Sequence, residues 1–249
     1  MKFFVIHHPK LTERKEHVLK RLEDFQVTDV EWVEHLNADS DFIKWIKNWT
    51  NSPLAHGHIS CTIKYFWVFD QMVKRDIHEA IIIEDDVVFH DSFKDFVPHK
   101  DLKFIKLGIG VNWPLAPSAK PTIVGNYGGT EAQYVTIDFA NEMLRNFTLD
   151  QTIDIVFWAH LYNTRYPLWC VPVCHQTSLL EENGITGGSS DKVMSWRDFI
   201  VLWPQIPKTT WQKILDDYER KKSVENEFER LFHKKVTITN SDYIKEKLS

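Results

Sequence analysis

Four consecutive apolar residues, Ala80-Ile81-Ile82-Ile83, run straight into three carboxylates, Glu84-Asp85-Asp86, and nothing else in the 249-residue chain restricts its fold as much. A largely β-branched run without polar alternation predicts a strand buried on both faces, which belongs to a mainly parallel sheet covered by helices on both sides. In such sheets ligands bind beyond the carboxyl ends of the strands. The triplet therefore stands where chemistry is expected.

Strand and helix signals alternate on either side of it. Phe3 to Ile6 and Val30 to Val33 read as strands. Between them a helix over 12–25 carries the stripe Leu11, Lys15, Val18, Leu19, Leu22 and Phe25, with Thr12 as N-cap. Phe42, Trp45, Ile46 and Trp49 keep helical spacing until Asn51-Ser52-Pro53 breaks it. From His58 to Arg75, Ile59, Ile63, Phe66, Phe69 and Val73 mark another helix face. Further strands are expected over 101–107, 134–137 and 168–173, and a helix carries Phe139, Ala140, Met143, Leu144 and Phe147. Residues 111–129, rich in proline and glycine, read as an irregular loop, and 208–235 as a long charged helix. The expected organisation is an α/β sandwich over residues 1–180, with a C-terminal loop and helical extension over 181–249 packing on it.

Composition removes several classes of function. Hydrophobic residues make up 43%, enough for a sizeable core, and the net charge of -5 provides no basic face for a nucleic acid. A phosphate-bearing ligand must then be held by a local site. Three cysteines at irregular spacing, Cys61, Cys170 and Cys174, are no disulfide framework and point to a reducing compartment. The four apolar residues Phe3 to Ile6 are too few for a signal peptide, and no stretch nears the ~18 apolar residues of a membrane span, so the expectation is a soluble, cytoplasmic chain.

Three adjacent carboxylates repel one another, and each raises its neighbours' pKa unless a cation neutralises them. A hard divalent ion is one answer, because such ions prefer oxygen ligands. If the strand pleat continues, Glu84 and Asp86 point the same way and can share the ion, with Asp85 turned aside. A solvated strand end carrying surface acids is the other reading, and the triplet alone leaves both open.

The surrounding residues add context. From Pro53 the sequence reads P-L-A-H-G-H-I-S-C-T-I-K-Y-F-W, and after a spacer I-I-I-E-D-D-V-V-F. This resembles the family 25 glycosyltransferases, which include bacterial lipooligosaccharide galactosyltransferases and animal collagen galactosyltransferases. Gly57, Ile59, Cys61, Trp67 and Glu84-Asp85-Asp86 match the family's segments. So do Val5-Ile6 with Arg14, Gly129-Thr130 with Tyr134-Val135, Asn141 to Leu144, Asp154, and Pro172 to Gln176. The match spans residues 3 to 178 in order, and several weak motifs in sequence are more specific than any one. His58 stands where the family has Glu, Lys64-Tyr65 where it has Ser-His, and Thr152-Ile153 where it has Pro-Val.

The resemblance implies a GT-A type nucleotide-sugar-binding sandwich with a mainly parallel central sheet, a uridine-diphosphate sugar donor and Mn²⁺ (or Mg²⁺). It implies metal ligation by Asp86 with Glu84, and a donor site drawn from Glu84, Asp85, His7, His8 and Arg14. Lys64 is a candidate point charge for the diphosphate, with a solvated helix lysine as the other reading. Asp154 is the candidate general base for an acceptor hydroxyl, or else an acid favoured by a helix N-terminus. Thr130 and Gln133 are candidate sugar contacts, and Trp113 a candidate stacking platform for the acceptor. Cys170, Cys174 and His175 supply only three zinc ligands with no second cluster, so strand residues are the better reading, with His175 kept as a third ligand for the donor metal.

The function expected is transfer of a hexose, galactose or glucose, from a UDP-sugar to a hydroxyl of a glycan or glycoprotein acceptor, with inversion. The alternatives are a metal-dependent phosphohydrolase, and a catalytically silent glycan-binding or scaffold module.

Overall fold

The computed structural model describes residues 1–108, 122–123 and 129–176. Trp113, most of the loop expected over 111–129, and the extension over 181–249 with its long helix lie outside the described residues. The elements run β1 (Lys2–Ile6), α1 (Thr12–Asp24), β2 (Val30–Val33), α2 (Asp41–Thr50), α3 (His56–Lys74), β3 (Glu79–Glu84) and β4 (Val87–Phe89). After a 3-10 turn at Asp91–Asp95 come β5 (Phe104–Gly108), β6 (Thr122–Ile123), β7 (Ala132–Thr136), α4 (Ile137–Leu144), α5 (Ile153–Asn163) and β8 (Trp169–Gln176).

One sheet orders the strands β2-β1-β3-β7-β5-β8-β4, with β6 on β8. β2 and β3 pair parallel to β1, and β8 parallel to β5. β7 is antiparallel to both β3 and β5, so those two point the same way. β1, β2, β3, β5 and β8 thus share a direction, against the reversed β4, β6 and β7. The architecture is an α/β fold on a mainly parallel sheet, as the apolar run at 80–83 requires.

Strand order reverses at β1, which has β2 on one side and β3 on the other. Val18 and Leu22 of α1 pack on one face with Phe3, Val5, Ile81 and Ile83. Residues Ile59 to Met72 of α3 pack on the opposite face with Phe4, Ile6, Ala80 and Ile82. A crevice opens at the carboxyl ends of β1 and β3, between α1, which follows β1 on one face, and α3, which leads into β3 on the other. Ile6 is paired there with Glu84.

The helix-packed face changes character towards that crevice. Side chains two apart on a strand share a face. Ala80 and Ile82 are followed on it by Glu84, and Phe104 by Lys106 and Gly108. On the reversed β7, Val135 is preceded by Gln133 and, just before the strand, Glu131. The core is apolar at one end of the sheet and polar at the end that meets the crevice.

Local signals account for most boundaries. Ser40 caps α2 by accepting from the Ile43 amide at 3.3 Å, and Asn51 closes it in the left-handed conformation, φ 51°. Thr12 is the first residue of α1, not its cap: Leu11 takes that position and offers no side-chain acceptor. The strand expected from 101 begins at Phe104, and the last strand runs on to Gln176. β4 and α5 carry no clear sequence signal. β4 is three residues long, and α5 is apolar nearly all round, so no stripe marks it.

Candidate active site

A cleft of about 320 Å³ lies over the carboxyl ends of β1 and β3. Nine of the candidate site residues named from the sequence line it: His7, His8, Arg14, Lys64, Glu84, Asp85, Asp86, Thr130 and Asp154. They come from β1 and its following loop, α1, α3, the end of β3, the segment before β7, and α5. The first turns of α1, α3 and α5 all border the cleft, through Arg14, through Gly57 and His58, and through Ile153 and Asp154. None of the three helices has a side-chain cap. Among the described residues no N-cap side chain takes up their leading N–H groups, and helix N-termini of this kind favour an anion.

The three carboxylates face different partners. Asp85 is an anchor. Its Oδ2 accepts from His7 Nδ1 at 2.9 Å and the His8 amide at 3.2 Å, and its Oδ1 accepts from Arg14 Nη1 at 3.0 Å. These donors outweigh the cost of burial and hold its carboxyl below the usual carboxylate range.

Glu84 is perturbed in the opposite direction. Burial pushes its carboxyl up to about 8, with Asp86, Glu131 and Asp85 adding to the rise. Thr130 Oγ1, Tyr65 Oη (3.4 Å) and Cys61 Sγ (3.6 Å) all approach the one oxygen Oε1. Asp86 is buried beside Arg14, 4.0 Å from Nη1.

Lys64 is no solvated helix lysine. Only 3% exposed, it donates from α3 to the His7 carbonyl at 2.6 Å and to Asn37 Oδ1 at 2.9 Å. Burial lowers its pKa to about 8. Asp154 stands in the first turn of α5, bonded by the Thr152 hydroxyl, and borders the cleft. It is thus an acid at a helix N-terminus, and its position places a carboxylate at the edge of the cleft.

Gln133 is placed differently from the sequence expectation. It is fully buried, does not line the cleft, and its Oε1 lies 2.8 Å from Tyr65 Oη. It supports the wall and does not face a sugar, because the pleat that exposes Thr130 turns Gln133 inward. His175 pairs in β8 opposite Val88 of β4, two residues beyond Asp86. Its side chain, like Trp113, lies outside what the structure describes. Cys170 and Cys174 are free and buried in the sheet, and burial pushes the Cys170 thiol up to about 12, so neither is poised to bind zinc.

Tyr65 went unrecognised as a site residue. Its ring is fully buried, and its hydroxyl donates to Thr130 O at 2.6 Å. In the sequence it is noted only as standing, with Lys64, where the family has Ser-His, and its hydroxyl among apolar neighbours is the signal that could have marked it. His58 and Thr152 were noted only as departures from a pattern, yet both border the cleft.

Among the described residues no group of three or more His, Cys, Asp and Glu side chains forms a ready metal centre. Glu84 and Asp86 still fit a hard divalent cation. Their oxygens are of the preferred type, and a cation would offset both the burial that raises the Glu84 pKa and the neighbouring carboxylates that add to the rise. A cation held by two carboxylates would take its remaining ligands from substrate oxygens and water.

Residues 1–120 match the family described as Glycosyltransferase family 25 (LPS biosynthesis protein). Procollagen galactosyltransferase 2 of Mus musculus is 25% identical over 103 residues, 36% of this chain and 16% of the relative. Its Homo sapiens counterpart is 24% identical over 102 residues, with the same shares. The match thus spans about a sixth of these relatives' length. A solved structure described as a glycosyltransferase involved in the glycosylation of the major capsid of PBCV-1 is similar at TM-score 0.39 and 12% identity. That likeness covers 76% of this chain and 93% of the other.

Proposed function

We propose that this chain, whose residues 1–120 match glycosyltransferase family 25, transfers a hexose, galactose or glucose, from a UDP-sugar to a hydroxyl of a glycan or glycoprotein acceptor. The observation that carries the reading is one cleft in which a buried acidic turn, two basic side chains and a separate carboxylate meet three uncapped helix N-termini. A donor that is anionic at its diphosphate and neutral at its sugar suits such a site.

Arg14 and Lys64 supply positive charge near the diphosphate, with the helix N-termini adding N–H donors. Glu84 and Asp86 would hold a divalent cation, Mn²⁺ or Mg²⁺. When bound, it neutralises the charge that develops on the departing diphosphate. Thr130 borders the sugar's position, fixed by its bond to Glu84.

Asp154 is the base. Its carboxylate takes the proton of the acceptor hydroxyl as that oxygen bonds to the anomeric carbon. The bond from that carbon to the β-phosphate oxygen breaks with its electron pair, and UDP leaves. A single displacement of this kind inverts the anomeric centre. Of the family's Ser-His positions, Lys64 lines the cleft and Tyr65 holds the Thr130 carbonyl from behind it, so both keep polar roles at the site, which favours an active enzyme over a silent module.

The test is incubation with Mn²⁺ and a panel of sugar nucleotides, measuring nucleotide binding and nucleoside-diphosphate release. Turnover that Asp86→Ala abolishes is the expected result. Absence of binding at millimolar donor would sink the proposal, and phosphate release from simple esters would favour a phosphohydrolase.

A further inference from the structure

Behind the cleft wall lies a buried ion pair that the reaction scheme does not use. Lys106 of β5 is 3% exposed and Glu131 is fully buried, with Lys106 Nζ 3.8 Å from Glu131 Oε2. Neither residue lines the cleft. Taking two charges out of water is costly, and an apolar pair of similar volume often serves stability as well or better. Fold stability alone is a weak reason for this pair.

Its contacts converge on one segment. Lys106 Nζ donates to the Gly129 carbonyl at 2.9 Å, and Gly129 adopts φ 76°, a left-handed conformation that suits glycine. The next residue, Thr130, has its carbonyl held by Tyr65 Oη and its hydroxyl on Glu84 Oε1. The carbonyl of Glu131 accepts from the Glu84 amide at 3.0 Å. The Glu131 side chain lies against Gly108, where any Cβ would overlap it. Gly129-Thr130-Glu131 is therefore gripped by β5, α3 and β3 together, and it presents Gly129 and Thr130 to the cleft.

We propose that Lys106 and Glu131 are positioning residues: their buried pair, seated on Gly108, fixes the Gly129–Thr130 backbone so that the Thr130 hydroxyl stays on Glu84 and the sugar-facing wall keeps its shape. The effect on transfer rests on the function proposed above. The effect on the backbone does not.

Lys106→Met alone strands a buried carboxylate and can unfold the chain, so the informative variant is Lys106→Met with Glu131→Gln, which removes both charges. It is expected to fold with a Tm close to the parent's and to lose about tenfold or more in kcat/KM for the sugar nucleotide, since small misplacements of binding groups are costly. Combined with Thr130→Val, the losses should be less than multiplicative, because both changes act through one contact. Full kcat/KM in the paired variant, or strictly multiplicative losses, would overturn the proposal. A parent protein that turns over no sugar nucleotide refutes the proposed function and leaves the clamp to be read by amide hydrogen exchange. The Glu84 and Glu131 amides should then exchange at least about tenfold faster in the paired variant, and unchanged exchange would overturn the clamp.

Discussion

Arg14 Nη1 lies 3.0 Å from Asp85 Oδ1, joining the first turn of α1 to the middle carboxylate of the acidic turn. His7 and the His8 amide occupy the other oxygen of the same carboxylate. The acidic triplet is thus divided: Asp85 fastens β1, α1 and β3 together, while Glu84 and Asp86 line the cleft beside it.

The anchor gives a pH signature. Asp85 has a lowered pKa in the folded chain, so the stability it contributes is present above the ordinary carboxylate value and is lost as pH falls through the folded one. Asp85→Asn should cost about 2–4 kcal/mol at pH 7, as expected for breaking a largely buried ionic contact. Urea unfolding repeated towards pH 3 should show the two proteins converging. A constant gap would mean that shape and not charge carries the effect.

Glu84 behaves in reverse. Its folded pKa of about 8 is raised, so the folded chain holds an extra proton between the ordinary value and 8, and stability falls as pH rises through that window. Glu84→Gln should remove the decline in metal-free protein. Binding of Mn²⁺ must displace the proton, so affinity should rise by up to about tenfold per pH unit and level off near pH 8. Calorimetry at pH 6, 7, 8 and 9 reads this directly. A flat profile would count against Glu84 as a ligand.

Sequence legibility followed the physics of each element. The run at 80–83 announced a doubly buried strand because burial on both faces removes polar alternation, and β3 lies between β1 and β7 as that requires. The helices α1 to α4 were visible because each is amphipathic or bounded by turn residues. α5 was hidden although it carries Asp154, because helices packed on several sides lose their stripe. Side chains whose charge stands out in the sequence, such as Arg14, Lys64 and Asp154, border the cleft. Tyr65, Lys106 and Glu131 act from behind it. Their roles depend on β7 running antiparallel between β3 and β5, a pairing no local pattern encodes.

Asp154 offers a test of chemistry separate from folding. It is partly exposed in the first turn of α5, and Asn keeps its size while removing the charge. Asp154→Asn should therefore fold normally and bind sugar nucleotide with unchanged affinity. Its kcat should fall by about 10²–10⁴, the usual contribution of a positioned base. A loss confined to KM would instead assign Asp154 to substrate binding.

Gly108→Ala probes the wall from the side remote from substrate. A methyl group there overlaps Glu131, whose side chain is fully buried beside Lys106 and has no solvent into which to retreat. Overpacking of this kind costs about 1–3 kcal/mol. The displaced Glu131 should also disturb the Glu84 amide bonded to its carbonyl. Thermal unfolding should show a lowered Tm, and nucleotide affinity should fall although residue 108 borders no part of the cleft. A variant that is less stable but binds donor like the parent would show that strain at β5 is absorbed before it reaches Thr130.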